Sequence, residues 1–242
     1  MTIKNAHWYF LEKFNKLESN TYRELTPVQI DEYLNDAQVK FISNVTNNKV
    51  EGTTKYSKDL ATLLVKSPTT IQPVITPTLA GTTYEMKSSQ LAFKCLYPVS
   101  FEITAAKTDC SSKKIPVFIK EHDDRAFEAQ STRKSSFIWN RCRAYIGRSD
   151  TVLGSTQYDN FSLFLESDGD FTVTNVIPTY YKFPRQVCYG GYNDIEGNAK
   201  TEAQFEFADD AIYHIIDIAV ELASIAIDNP VEPKAYQTKL NN

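Results

Sequence analysis

Residues 205–228 read FEFADDAIYHIIDIAVELASIAID, and the fold is decided there. Glu206, Asp210, His214, Asp217, Glu221, Ser224 and Asp228 recur at steps of three or four, which places them in one stripe along an α-helix. Nearly everything else in the segment is apolar. Asp209 and Asp210 fall in the first turn, where carboxylates suit the free N–H groups and the positive end of the helix dipole. Asn229-Pro230 ends the helix, because the residue before a proline is pushed out of the helical region. Ile212, Ile215, Ile216, Ile218, Val220, Leu222, Ile225 and Ile227 are each worth roughly 1.5–3 kcal/mol if buried. A helix apolar over most of its circumference must be covered on most sides, so this is a core element whose stripe alone meets water or a partner.

Its cover is sought at the other end of the chain. Ile3, Ala6, Phe10, Phe14 and Leu17 recur at helical spacing and predict an amphipathic helix from about Asn5 to Glu18. Thr26-Pro27-Val28-Gln29 supplies an N-cap, a proline at the first helical position and the glutamine of a capping box. Leu25 and Ile30 stand at the positions of a hydrophobic staple, and Ile30, Leu34, Ala37, Phe41 and Val45 carry the apolar face to about Asn47.

Between the helical ends the sequence turns to strands. Leu60–Val65 suits one helical turn or one strand, and Thr46–Lys58 reads as a polar loop. The three prolines of Ser67–Thr78 forbid a central strand and predict extended edge or linker structure. Strands are expected at Tyr97–Ala105, Ile115–Lys120 and Phe137–Ile146. Alternation in Phe161–Ile177, around Ser167-Asp168-Gly169-Asp170, predicts a hairpin whose second strand runs on to Pro184. Gln186–Gln204 reads as a long polar connection. The expected class is α+β: helices from both chain ends form a platform (1–66 and 205–228), 67–204 is a mostly antiparallel β-rich region, and 229–242 is a flexible tail.

Composition narrows the function classes. A chain of 242 residues is one large domain or two small ones. A net charge of −4 gives no electrostatic reason to expect nucleic-acid binding. No apolar run approaches the ~20 residues of a membrane span, and MTIKNAHWYF lacks the apolar core of a signal peptide. Cys95, Cys110, Cys142 and Cys188 form no C-x-x-C pair, which predicts free thiols in a protein made in a reducing compartment.

Patterns with chemical potential each meet a plainer reading. His214, Asp217 and Glu221 share a helix face as metal ligands do, yet no second such stripe exists, so a solvated face is expected. Glu121-His122-Asp123-Asp124 lacks the ligand spacing of a calcium loop. Gly147–Gly154 is not a phosphate loop, since Ser155 stands where its lysine belongs. Cys142 sits between Arg141 and Arg143; on a strand those neighbours point to the opposite face, which predicts a core thiol. The sequons Asn44-Val45-Thr46 and Asn160-Phe161-Ser162 mean nothing without a secretory signal. The expectation is therefore no catalytic residue, no cofactor and no metal.

The order of motifs along the chain carries a resemblance. Leu25–Gln38 (LTPVQIDEYLNDAQ) with Phe41-Ile42 resembles the N-terminal helix of virion structural proteins from crAss-like tailed phages of Bacteroidetes. Glu121–Asp124 followed by Ser135-Ser136-Phe137 and Trp139 is similar to their middle segment. The expected hairpin, Tyr180-Tyr181-Lys182-Phe183-Pro184, a glycine-bearing loop, Phe205–Asp210 and Ile215–Ala219 are similar to their C-terminal end. The resemblance spans most of residues 20–228, and Ser67–Thr78 departs from it. It implies a non-enzymatic ring or adaptor subunit of the virion neck and tail, assembled in the host bacterial cytoplasm. The implied partners are copies of itself in a ring, dodecameric after portal symmetry, with the portal protein, other ring or adaptor proteins and tail proteins. Genomic DNA would pass through the channel without sequence-specific binding, and no membrane is involved. Thr46–Lys58, Ser67–Thr78, Gln186–Gln204 and Pro230–Asn242 are the segments expected to meet other chains. The alternative is a β-rich binding module, glycan-recognising for example, in which Tyr180, Tyr181, Tyr189 and Tyr192 would have to converge.

Overall fold

The computed structural model describes residues 1–17, 25–47, 60–66, 71–78, 81–120, 135–147, 161–167, 169–193 and 197–228. The architecture is α+β, and the chain divides into two compact units, Met1–Leu63 with Pro184–Asn242, and Leu64–Phe183. The strand-rich unit thus ends at Phe183, 21 residues before the expected limit of 204. The segment after Pro184 belongs with the helices, because its backbone is bound by side chains of the second helix.

In the helical unit, α1 spans Ile3–Leu17, α2 Pro27–Asn47 and α3 Asp209–Asp228. α1 and α2 each pack on α3 far more than on each other, so α3 is the shared partner its apolar girth requires. Ile212, Ile215, Ile216, Ala219, Val220 and Ala223 are buried, as are Phe10 and Phe14 of α1 and Ile30, Leu34, Phe41 and Ile42 of α2. Phe41 meets Phe207 edge to face at 5.9 Å between ring centroids. The N-terminus of α2 forms as its sequence specifies: Gln29 N donates to Thr26 Oγ1 at 3.4 Å, and Thr26 N donates to Gln29 Oε1 at 3.0 Å.

The strand-rich unit is an eight-stranded sheet with β1 Leu64–Lys66, β2 Val74–Thr78, β3 Gly81–Lys87, β4 Cys95–Lys107, β5 Cys110–Lys120, β6 Cys142–Gly147, β7 Ser162–Glu166 and β8 Thr172–Lys182. The order is β1-β8-β4-β5-β6-β7-β3-β2, antiparallel except for β5 with β6. The two ends of that order are successive parts of one chain segment. β1 and then Ile71 pair with β8, and three residues later β2 pairs with β3. The sheet therefore curls round on itself as a barrel. Its interior is filled by side chains from β3 to β8, among them Tyr84, Met86, Phe101, Ile103, Ile115, Cys142, Leu163, Leu165 and Val176. β2 has a strand partner on one side only, which is where Pro77 is tolerated.

Three strand expectations change. β7 and β8 are joined by a tight turn, with Asp170 N donating to Ser167 O at 3.1 Å, but they are not a hairpin. β7 pairs with β3 and β6, and β8 pairs with β4 and β1. Alternation identified both strands correctly but carries no information about partners. The predicted strand at 137–146 begins only at Cys142, because Ser136 and Arg141 bridge and close a turn between them in which Asn140 takes φ 49°. Finally, β4 and β5 run closer to their turn than expected. Cys110–Ser112 belong to the strand, and Asp109 takes the left-handed conformation (φ 64°) that aspartate tolerates.

Ile216 is fully buried on α3. Ile216→Asp places an unpaired charge there, at a cost of several kcal/mol against the ~5–15 kcal/mol stability of a typical domain. We expect this variant to unfold or aggregate; a soluble variant with an unchanged melting temperature in calorimetry would contradict the packing.

Candidate functional site

Residues 135–141, which lead into β6, build an exposed apolar tip. Ser136 and Arg141 exchange two backbone hydrogen bonds of 2.8 and 3.0 Å, and Asn140 N donates to Phe137 O at 3.3 Å. Phe137 points into the barrel core, with the Lys113 ammonium 4.2 Å from its ring centroid. The next two side chains point outward: Ile138 is 73% exposed and Trp139 82% exposed. Beside them the guanidinium of Arg141 lies 5.6 Å from the ring centroid of Phe118, which is itself largely exposed.

Asp170 anchors this turn. Its Oδ2 accepts from Phe137 N at 2.7 Å, and its Oδ1 pairs with Lys107 Nζ. The Lys107 bond and the Phe137 amide together hold the Asp170 carboxyl below the usual carboxylate range. The turn after β7 thus fixes the base of the tip. The tip presents tryptophan, isoleucine, phenylalanine and arginine, a composition that binds other proteins through apolar burial.

A second polar constellation lies inside the helical unit, and sequence reasoning missed it. Asp31, Asn35 and Gln38 of α2 stand at i, i+4 and i+7, and all three address the chain from 185 to 192. His7 Nε2 donates to Asp31 Oδ1 at 2.7 Å, Tyr192 Oη donates to Asp31 Oδ2 at 2.6 Å, and Tyr189 N donates to the same oxygen at 2.9 Å. Cys188 Sγ lies 3.3 Å from Tyr192 Oη and donates to it. Asn35 pairs with Val187 as a strand would, its Oδ1 accepting from Val187 N at 2.8 Å and its Nδ2 donating to Val187 O at 3.1 Å. Gly190 closes the loop in the left-handed conformation (φ 81°), where a Cβ would come within 2.7 Å of Glu202 N. Burial pushes the Asp31 carboxyl up, but the bonds from His7, Tyr192 and Tyr189 outweigh it, and its pKa is lowered. Burial and the Asp31 carboxylate raise that of Tyr192. His7 and Asp31 are sealed from solvent, so the arrangement is a staple between helices and loop.

The structure separates most of the residues singled out by sequence. His214, Asp217 and Glu221 are exposed on α3; Asp217 pairs with Lys13, and Glu221 with Lys40 at 3.5 Å. Among the described residues no group of three or more His, Cys, Asp or Glu is placed to hold a metal ion. Cys142 lies in the barrel core, while Arg143 faces the other way, 3.4 Å from Glu166. Burial pushes the Cys95 thiol up to about 12, and none of the four cysteines is in a disulfide. Tyr180 and Tyr181 are on β8, with Tyr180 buried and its hydroxyl accepting from Phe93 N at 3.2 Å; Tyr189 and Tyr192 serve the helical unit. Tyr180 and Tyr181 thus belong to one unit and Tyr189 and Tyr192 to the other. Thr46 lies on α2, its hydroxyl donating to Ile42 O at 2.9 Å. Glu121–Asp124, Ser155 and Asn160 lie outside the described residues, as do 48–59, 67–70 and 229–242 of the segments expected to meet other chains. Of those segments, Gln186–Gln204 is largely engaged within its own unit. No helix among the described residues is long and apolar enough to cross a membrane.

No family model matches the chain, and no curated protein matches it.

Two measurements check these arrangements. Asp31→Asn should cost about 1.5–3 kcal/mol, the range for hydrogen bonds to a charged group. Because the Asp31 pKa is lowered on folding, its contribution is present above about pH 4 and fades as the pH falls through the folded value, so the variant's melting temperature should change less on acidification than the parent's. Asp170→Ala should leave the barrel folded and speed amide exchange at Phe137 by tenfold or more, since a charge-assisted bond is worth about 1.5–3 kcal/mol; unchanged exchange would mean that Asp170 does not hold the turn.

Proposed function

We propose that the protein is a structural subunit of a ring-shaped head-to-tail connector in a tailed-phage virion, built into the neck and tail between portal and tail proteins. The observation that carries this reading is the anchored Ile138–Trp139 tip, with side chains 73% and 82% exposed. An isolated chain gains nothing by holding a tryptophan in water on a turn pinned by a backbone bridge and a carboxylate. A chain that buries it against a neighbour does. The order of motifs shared with neck and tail proteins of crAss-like phages supports the same reading. So does a barrel whose interior is occupied by its own side chains, which leaves the outer surface for recognition.

In this role the subunit works by contact rather than by chemistry. Identical subunits joined head to tail use two different faces, and the chain of contacts closes when the rotation per subunit divides a full turn. A dodecamer around the DNA channel, matched to the portal, is the proposed assembly. The sequence's other reading, a glycan-binding module, draws less support because the hydroxyls of Tyr180 and Tyr192 are committed to internal bonds.

Purified particles and purified protein test the proposal together. The chain should copurify with intact virions in a multiple of copies fitting a closed ring, and the isolated protein should sediment as oligomers at high concentration. Absence from particles, or one copy per particle, would contradict it.

A further inference from the structure

The apolar tip has a complement on the same chain. A groove of about 520 Å³ runs along α1 and α3, lined by Lys13, Lys16, Val220, Glu221 and Ile225 among others. Val220 forms a buried floor, Ile225 is half exposed, and the methylene stems of the two lysines make a wall. The charges on the rim are already matched: Lys13 pairs with Asp217, Lys16 with Glu12 at 2.6 Å, and Glu221 with Lys40. A groove with an apolar floor and a self-neutralised rim selects an apolar side chain over a charged one.

Charge decides which copy offers that side chain. Leu64–Phe183 carries 14 Lys and Arg against 12 Asp and Glu, a net +2; the remainder of the chain carries 12 against 18, a net −6. Contact between two helical units, or between two strand-rich units, joins like charges. Contact between the strand-rich unit of one copy and the helical unit of another joins opposite ones, and complementary potentials set the orientation of docking. We infer that Ile138 and Trp139 of one copy seat in the α1–α3 groove of a second copy, as the lateral head-to-tail contact of the assembly. This rests on the ring reading above and specifies its interface. Tip and groove are different surfaces, so each copy keeps one of each free for further copies, and the contact propagates until it closes.

Two variants of the full chain separate the halves of the contact. Ile138→Ser with Trp139→Ala removes the tip, and Ile225→Arg fills the groove. All three positions are at least half exposed, so both variants should keep the parent's melting temperature; if Ile225→Arg does not, Ile225→Ser serves with a smaller effect. Sedimentation velocity over a concentration series is the readout. Each variant alone should lose self-association by about thirtyfold or more, the scale of a buried aromatic anchor. Mixed one to one, they should form a species of two chains and nothing larger, because only one intact tip and one intact groove remain to meet. If the parent associates and the variants associate equally well, the ring reading stands and this contact is wrong. If the parent does not associate at all, both fail.

Discussion

The segment from Leu64 to Thr78 is committed at both ends, first to β8 and then to β3, and the strand-rich unit depends on that double pairing. A sheet whose first and last strands are a few residues apart in sequence has to curl until its ends meet. Curling turns one face of every strand inward, and the inward residues fill the space from all sides. An interior filled in this way is core rather than a binding cavity. Among the described residues the barrel's most exposed apolar element is the turn before β6.

Polar groups inside the molecule fix position more than they add stability. Asp31 gathers a histidine, a tyrosine hydroxyl and a backbone amide, and Asn35 and Gln38 continue the same face of α2 to hold 185–188. Apolar burial on the opposite face of α2 would tolerate sliding of the loop by a residue. A carboxylate with three matched donors does not, because any shift leaves a buried charge without partners. Asp170 plays the corresponding part in the barrel, where its two oxygens define where the tip begins.

What was legible in the sequence follows the same division. Periodicity with a period of 3.6 identified α1, α2 and α3, and the capping box of α2 formed as Thr26 and Gln29 specify. The prolines around residue 75 placed β2 with a partner on one side only among the described residues, and Asp210, His214, Asp217 and Glu221 of the polar stripe of α3 lie in solvent as their spacing requires. Pairing was not legible. The alternation in β7 and β8 is a property of each strand, whereas their partners are set by closure of the whole sheet. β3 escaped notice because Thr83, Tyr84, Glu85 and Met86 are all buried, so its two faces do not divide cleanly into apolar and polar. Asp31, Asn35 and Gln38 looked like surface residues of an amphipathic helix, since nothing local tells that a loop some 150 residues later will cover them. Trp139 was visible as a motif residue, but its exposure is decided by the local Ser136–Arg141 bridge and by Asp170, which bonds Phe137 from 33 residues further along the chain.

The central claim is that this tip is an assembly surface, and the chemistry of Trp139 inside intact particles tests it most directly. Oxidative footprinting of the free protein should modify Trp139 readily, because the side chain is 82% exposed. In assembled virions the same residue should be protected, while exposed residues away from the tip keep their reactivity. A Trp139 as reactive in the particle as in the free protein would contradict the account.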